Sequence, residues 1–390
     1  MFGFDLHIID YISIGALGFC FLAQFYFYVR YMCAPARRLR KGRKSSVNSS
    51  QPGVSVILCA HNEGENLSNY LQALLTQDYP TYEVIVVDDG SQDDTRLVIE
   101  QYMVRDPRLH MTFVPYGARV RSTKKLALTL AAKAAQYDYL LLTDADCVPE
   151  SSQWISEMMK GFGDVQSDKG TKDIVLGFSP YFAEKGHINR MVRYETLFNG
   201  LHYLGAAICR HPYMGVGRNL AYRKSLFFES GGFTHMMDNR AGDDDLFVNH
   251  VATRKNTAVV VTPDSYTWSL TKTNFRDWWQ QKRRHLSVSP EYRLGTKIRL
   301  TLEPMIRGLF YALLVGIMTG YFLGILSFLT LCTAAGLFLI RWIMQTLVLN
   351  ISARRMRLHR FPMISVLWFD IVLPIVNLWI LAVPKKNYKW

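Results

Sequence analysis

Apolar residues fall along this chain in two patterns. Ile8–Val29, Gly308–Asn350 and Phe361–Val383 are apolar almost throughout, whereas 51–286 alternates short apolar runs with amphipathic stretches. In that middle region, Val54–Ala60, Tyr82–Val87, Leu109–Val114 and Tyr139–Thr143 have strand length and strand composition. Between the first two, Leu67, Tyr70, Leu71, Leu74 and Leu75 recur at helical spacing, and Thr95–Val104 and Thr123–Ala135 supply further helices. Strands alternating with helices predict an α/β fold, a doubly wound and mostly parallel sheet buried on both faces. Later segments read as a helix over Ser151–Phe162 capped by Ser151 or Ser152, a strand over Ile174–Phe178 and a helix over His187–Cys209. A glycine-marked loop at Gly215–Asn219, a turn at Gly231–Phe233, a helix opening after Gly242 and a helix over Asn274–Leu286 complete the region.

The uniform apolar blocks predict transmembrane helices flanking this domain. The first is long enough for one crossing, the second for a hairpin of two. Arg37, Arg38, Arg40, Lys41, Arg43 and Lys44 follow the first block, and Arg354, Arg355, Arg357 and Arg360 follow the second. The positive-inside rule places both clusters, and the middle domain with them, in the cytoplasm, in an integral membrane protein of the plasma or inner membrane. The chain divides into an anchor at 1–31, a basic linker at 32–50, the cytoplasmic domain at 51–286 and an interfacial amphipathic segment at 287–307. A hairpin at 308–350, a basic cytoplasmic loop at 351–360, a crossing or re-entrant segment at 361–384 and a tail at 385–390 follow. Lys385, Lys386 and Lys389 in that tail conflict with a third crossing, and Pro374 offers a place for the last block to re-enter.

Lys and Arg total 45 against 32 Asp and Glu, and this excess concentrates beside the apolar blocks, which suits anionic membrane lipids and not nucleic acid. The six cysteines show no metal or disulfide spacing, in keeping with a reducing compartment.

Candidate chemistry gathers at strand ends. Leu140–Thr143 runs into Asp144-Ala145-Asp146, whose carboxylates would share one face if the strand continued and would need a divalent cation between them. His61-Asn62-Glu63 and Asp88-Asp89 end two other strands, and ligands of such sheets bind beyond the carboxyl ends. Gly242-Asp243-Asp244-Asp245 has more acids than a helix cap needs. Trp278, Trp279, Arg283, Arg284 and His285 suit a helix lying at the headgroup level.

In this order, the segments from about Val54 to Leu286 resemble the membrane-bound glycosyltransferases of family 2, which share the type A nucleotide-sugar-binding fold. The resemblance implies nucleotide-sugar contacts from Ala60, His61, Asn62, Glu63, Asp88, Asp89, Lys124 and Asp144, with Asp144 and Asp146 as metal ligands for Mn²⁺ or Mg²⁺. It implies Asp243 or Asp244 as catalytic base, assisted by Arg284. It also implies an acceptor side at Arg218, Asn219, Trp278, Gln281 and His285. Four departures mark the chain: Ala60 and His61 replace Pro and Tyr, Thr123 replaces Gly, Gly242-Asp243-Asp244-Asp245 stands for the usual Glu-Asp, with Asp243 favoured by alignment on Leu246 and Asp244 by the Gly-Asp-Asp form, and His285 replaces the Trp of a Gln-x-x-Arg-Trp motif.

The activity so implied is inverting, metal-dependent transfer from a nucleoside-diphosphate sugar, with UDP favoured, to a lipid-linked or membrane-presented glycan acceptor. A processive polysaccharide synthase is the alternative within the class. From another class, Asp144, Asp146 and Val148, with Lys185 or Lys224 and Gly242-Asp243-Asp244, also fit a haloacid-dehalogenase-like phosphatase.

Overall fold

The structure, a computed structural model, describes residues 7–40, 51–163 and 171–382, apart from 116, 119, 238 and 240. The linker residues Lys41, Arg43 and Lys44 and the tail Lys385, Lys386 and Lys389 lie outside the described residues. Two compact units form: Pro35–Tyr292, and Met1–Ala34 together with Arg293–Trp390.

The chain opens with α1 (Ile8–Phe27), prolonged to Met32 by a wider helical turn, and α2 (Ala34–Arg40). Then β1 (Val54–Ala60), α3 (Gly64–Leu75), β2 (Tyr82–Asp88), α4 (Thr95–Arg105), β3 (Leu109–Phe113), α5 (Thr123–Ala134) and β4 (Tyr139–Leu142) alternate. Each boundary lies within a residue or two of the periodicity. The pairs β3–β2, β2–β1 and β1–β4 are parallel. Both faces are covered: Val54, Val56, Leu58 and Ala60 pack with Leu67, Leu71 and Leu74 of α3, and α5 lies against β1 and β2.

Beyond β4 come β5 (Cys147–Pro149), α6 (Trp154–Met159), β6 (Ile174–Leu176), α7 (His187–Ile208), β7 (Leu220–Arg223), α8 (Lys224–Glu229) and α9 (Asp245–Val251). After them, β8 (Thr257–Val259), β9 (Thr267–Ser269) and α10 (Phe275–Leu286) close the unit. The sheet order is β3-β2-β1-β4-β7-β6-β8, with a separate pair β5-β9. The sheet is mostly parallel, as expected, and its antiparallel member is β7, which runs against both β4 and β6. Four short strands, β5, β7, β8 and β9, were not legible because three or four residues carry no period. Helix α6 starts later than expected, since the Ser151 hydroxyl accepts from Gln153 N at 3.1 Å and makes a turn instead of a cap.

The second unit holds α1 with α11 (Leu294–Phe322), α12 (Phe328–Arg355) and α13 (Met363–Ala382). Among the described residues, four helices are therefore long and apolar enough to cross a membrane. Of the segment 287–307, residues from Leu294 onward belong to α11, which runs unbroken through Pro304. Helix α13 likewise continues through Pro374, so no re-entrant break occurs there. A buried ionic cluster ties these helices. Asp370 accepts from Arg307 Nη1 and Gln345 Nε2 on one oxygen, and from Arg341 Nη2 and the Tyr311 hydroxyl on the other, at 2.7–2.8 Å. Arg341 Nε reaches Gln24 of α1 at 2.6 Å. Charged groups among apolar helices persist only when paired in this way.

Candidate active site

Register brings the strand ends to one edge. Ala60 pairs with Asp88, and Leu142, the last residue of β4, pairs with Ile57, three residues before the end of β1. The carboxyl edge thus carries His61–Glu63 after β1, Asp88-Asp89 at the end of β2 and Asp144–Asp146 after β4.

At the first two ends the polar groups hold one another. Asp88 accepts from Ser91 N at 2.9 Å, and Asp89 accepts from the Thr123 hydroxyl at 2.5 Å. His61 Nδ1 lies 2.7 Å from the Asp89 carbonyl. Asn62, with φ 57°, accepts from Gln92 N at 2.8 Å, while its own N–H reaches the Ser91 hydroxyl at 3.0 Å. Burial raises the Asp89 carboxyl pKa, opposed by Thr123. Burial also raises that of Glu63, to which the charges of Asp146 and Asp144 add. Thr123, which stands where the family has Gly, is therefore a working contact: its hydroxyl ties α5 to the end of β2.

At the third end, the expected continuous strand does not form. β4 stops at Leu142, and Cys147 N donates to the Asp144 carbonyl at 3.1 Å, closing a turn. The two carboxylates take different partners. Asp144 accepts from Lys124 Nζ at 2.9 Å. Asp146 receives the Ser269 hydroxyl at 3.1 Å and the Cys147 thiol at 3.3 Å. Lys124 also lies 3.2 Å from Asp243, so its ammonium bridges the donor edge and the acidic triplet. Burial would lower the Lys124 pKa, but Asp144 and Asp243 outweigh it and hold the lysine well above its ordinary value. Burial likewise would raise Asp144, and Lys124, Arg218 and Arg284 bring it below the usual carboxylate range.

Could these residues hold a divalent ion? Among the described residues no group of three or more His, Cys, Asp and Glu is arranged to hold one. Asp146, however, receives only a hydroxyl and a thiol, leaving lone pairs for a hard cation. Two carboxylates completed by diphosphate oxygens and water are a recognised way to bind Mg²⁺. The donor set therefore fits, provided the substrate supplies the rest.

The triplet is built with three different roles. Gly242 sits at φ +88°, and a Cβ there would meet Leu246 Cδ1 at 2.5 Å, so glycine is required for the turn into α9. Asp244 accepts from Gly217 N and Asp245 N, both at 2.7 Å, with one oxygen each. Asp245 accepts from Leu246 N at 2.7 Å and the Tyr292 hydroxyl at 2.8 Å. Asp243 instead faces Lys124. Burial and the neighbouring Asp243 raise the Asp244 pKa, and burial with Asp244 pushes Asp245 up to about 8.

Close enough to feel the charges of Asp146 and Asp144, the Arg218 guanidinium lies 4.2 Å over the Tyr181 ring and donates to the Ser179 carbonyl at 3.1 Å. Its Nη1 is buried with no hydrogen-bond partner among the described residues. Gln281 Nε2 lies 3.5 Å from the Tyr181 hydroxyl. Enclosure, Arg284, Arg218 and Lys282 push the His285 pKa far down, leaving a neutral imidazole.

Two of the expected acceptor contacts are placed elsewhere. Asn219 is fully buried. Its amide donates to the Phe178 and Ser265 carbonyls at 2.8 and 2.7 Å, and its oxygen accepts from Trp154 Nε1 at 3.1 Å. It is a hub joining β6, α6 and β9's approach, with no capacity left for a ligand. Trp278 is only 2% exposed, so it packs inside the unit and is not at a headgroup surface. Lys282 beside it pairs with Glu195. Sequence reasoning missed Ser269, Tyr181, Tyr292 and Lys125, because their partners lie far away along the chain and no local pattern announces them.

A type A nucleotide-sugar fold with acids at three strand ends defines a glycosyltransferase. The chain belongs to the glycosyltransferases of family 2: the model "Glycosyl transferase family group 2" matches residues 168–382, more than half of it, and "Glycosyl transferase family 2" matches 55–232. This sets the phosphatase reading aside. The chain is similar to the probable glycosyltransferase YdaM of Bacillus subtilis, at 25% identity over 242 residues, 60% of this chain and 54% of that one. It is also similar to the poly-beta-1,6-N-acetyl-D-glucosamine synthase of Staphylococcus epidermidis, at 32% over 96 residues, 25% of this chain and 22% of that one. It thus spans between about a fifth and about half the length of these relatives. In fold it matches a mannosyltransferase from Pyrobaculum calidifontis, solved with GDP-Man and Mn²⁺, at TM-score 0.59 and 20% identity, covering 90% of this chain and 99% of that one.

Proposed function

We propose that this membrane-bound glycosyltransferase moves a sugar from a UDP-sugar to a lipid-linked or membrane-presented glycan acceptor at the cytoplasmic face, inverting the anomeric centre. The observation that carries this reading is the Lys124 ammonium held between Asp144 and Asp243, which joins a donor edge to a carboxylate suited to be a base. Asp88, Asp89 and the His61–Glu63 turn line the nucleotide end. Lys124, Arg218 and Arg284 supply fixed positive charge toward the diphosphate. A divalent cation held by Asp144 and Asp146 would add Lewis-acid stabilisation of the leaving diphosphate; the Mn²⁺ in the Pyrobaculum complex supports that assignment.

Asp243 serves as base, since both Asp244 oxygens are already occupied by backbone N–H groups. In one displacement the acceptor oxygen bonds to the anomeric carbon, the bond from that carbon to the phosphate oxygen breaks, and the acceptor proton passes to Asp243. Neutral His285 and Gln281 face the acceptor. The basic clusters after α1 and α12 support a cytoplasmic catalytic unit.

The test is a thermal-shift screen of UDP- and GDP-sugars, each with and without Mn²⁺, followed by label transfer into the lipid fraction. A shift with a UDP-sugar, larger with Mn²⁺, and a single added residue on a lipid product are expected. Indifference to every nucleotide sugar would remove the proposal. The similarity to a polysaccharide synthase favours one alternative, processive extension, which a ladder of products would reveal.

A further inference from the structure

Lys125 is fully buried, yet it sits one residue after the lysine that faces the cleft. Successive helical residues point roughly 100° apart, so the N-terminal turn of α5 sends two ammonium groups to two places. Lys124 goes to Asp144 and Asp243. Lys125 Nζ donates to three carbonyls of one irregular segment: Met236 at 2.6 Å, Asn239 at 2.8 Å and Ala241 at 2.8 Å. Its three N–H donors are thereby matched one to one. Three carbonyl dipoles converging on a point repel one another unless a cation stands there, so the ammonium holds Met236, Asn239 and Ala241 together. That segment ends at Gly242, whose φ of +88° turns the chain directly into Asp243. Burial lowers the Lys125 pKa, opposed by the nearby carboxylates of Asp243, Glu291, Asp245 and Asp244.

We propose that Lys125 is a positioning residue for the transfer step: its ammonium cage fixes the segment that presents Asp243 and sets its register against Lys124 and the donor edge. It touches no substrate, being enclosed, and acts only through the backbone of 236–241. The proposal rests on the reading of Asp243 as base, and Asp243→Asn reports on that reading separately.

The experiment uses the full chain in nanodiscs. Lys125→Met keeps the unbranched stem and removes the cage. Transfer of label at saturating UDP-sugar should fall about 100-fold, as expected for a base displaced by about 1 Å. Binding of UDP with Mn²⁺ should stay within about threefold of wild type, since a purely transition-state loss leaves ground-state affinity alone. Backbone hydrogen exchange should quicken over 234–246 and stay unchanged in β1, β2 and α3. If Lys125→Met does not fold, Lys125→Arg, a planar fork in a cage built for a point charge, should show the same split with a smaller loss. Wild-type transfer rates in a folded variant would overturn the proposal. So would UDP binding that falls in step with transfer, or exchange that quickens throughout the unit. Should Asp243→Asn transfer normally while Lys125→Met still shows the split, the base reading fails and the positioning role passes to whatever group 236–246 presents.

Discussion

Asp243 and Asp244 are adjacent, have the same side chain and are only partly buried, but their surroundings assign them opposite consequences. In Asp243→Asn the carboxylate that faces Lys124 becomes an amide of the same shape. Lys124 keeps Asp144 at 2.9 Å, so the cleft stays charge-paired and the fold should survive. What disappears is the proton acceptor, and general-base loss removes about 10²–10⁴ in rate, or about 3–5 kcal/mol of barrier. In Asp244→Asn one oxygen remains for one backbone N–H, while the new amide NH₂ confronts the other. An N–H left unpaired beside Gly217 or Asp245 costs about 1–3 kcal/mol. Relief of repulsion with Asp243 returns part of that, because burial and Asp243 already disfavour the Asp244 charge. The expected signatures are thus a cold-dead, well-folded Asp243→Asn that binds UDP with Mn²⁺, and a less stable Asp244→Asn that retains measurable transfer. Thermal melting, UDP titration and initial rates on both proteins make the comparison. An Asp244→Asn protein that melts like wild type, binds donor and transfers nothing, beside an active Asp243→Asn, would refute the reasoning.

Asp245 titrates at about 8 in the folded chain and near the ordinary carboxylate value once unfolded, so the native state holds a proton the unfolded state has released. Stability should therefore fall as pH rises from about 4 to about 8; Asp245→Asn, which keeps a partner for Tyr292, should flatten that slope in melts taken across the range. Asp370→Leu leaves the buried Arg341 guanidinium without a carboxylate among the described residues, while Arg307 keeps Glu303 at 3.2 Å, and should lower stability in detergent by about 3–5 kcal/mol; adding Arg341→Met in the same protein should restore most of it. Failure of the double replacement to recover would show that the cluster is more than a neutralised set of charges. Asn219→Ala removes three buried hydrogen bonds at about 1 kcal/mol each and leaves their partners unpaired. It should melt markedly lower while its folded fraction binds UDP with Mn²⁺ normally; selective loss of transfer without loss of stability would return Asn219 to the acceptor side.

The first half of the catalytic unit was legible because its strands and helices are long enough to show a period. Val54–Ala60 and Leu67–Leu75 declare their type and their buried face within a few residues, and strand ends in such sheets point at the site. The four apolar helices were legible for the same reason, since length and uniformity alone separate a crossing from a core strand. Sequence also supplied the acids, but not their duties. Whether Asp144 and Asp146 share a strand face was decided by one hydrogen bond, Cys147 N to the Asp144 carbonyl, that turns the chain at that point. That Asp244 is held by backbone N–H groups while Asp243 pairs with Lys124 depends on Gly217, whose N–H comes from 27 residues away. Lys125 looked like one more helix residue until 236–241 closed around it. Secondary structure follows from neighbours in the chain, and the sequence contains those. The ionisation, burial and availability of a polar side chain follow from neighbours in space, and only folding brings those together.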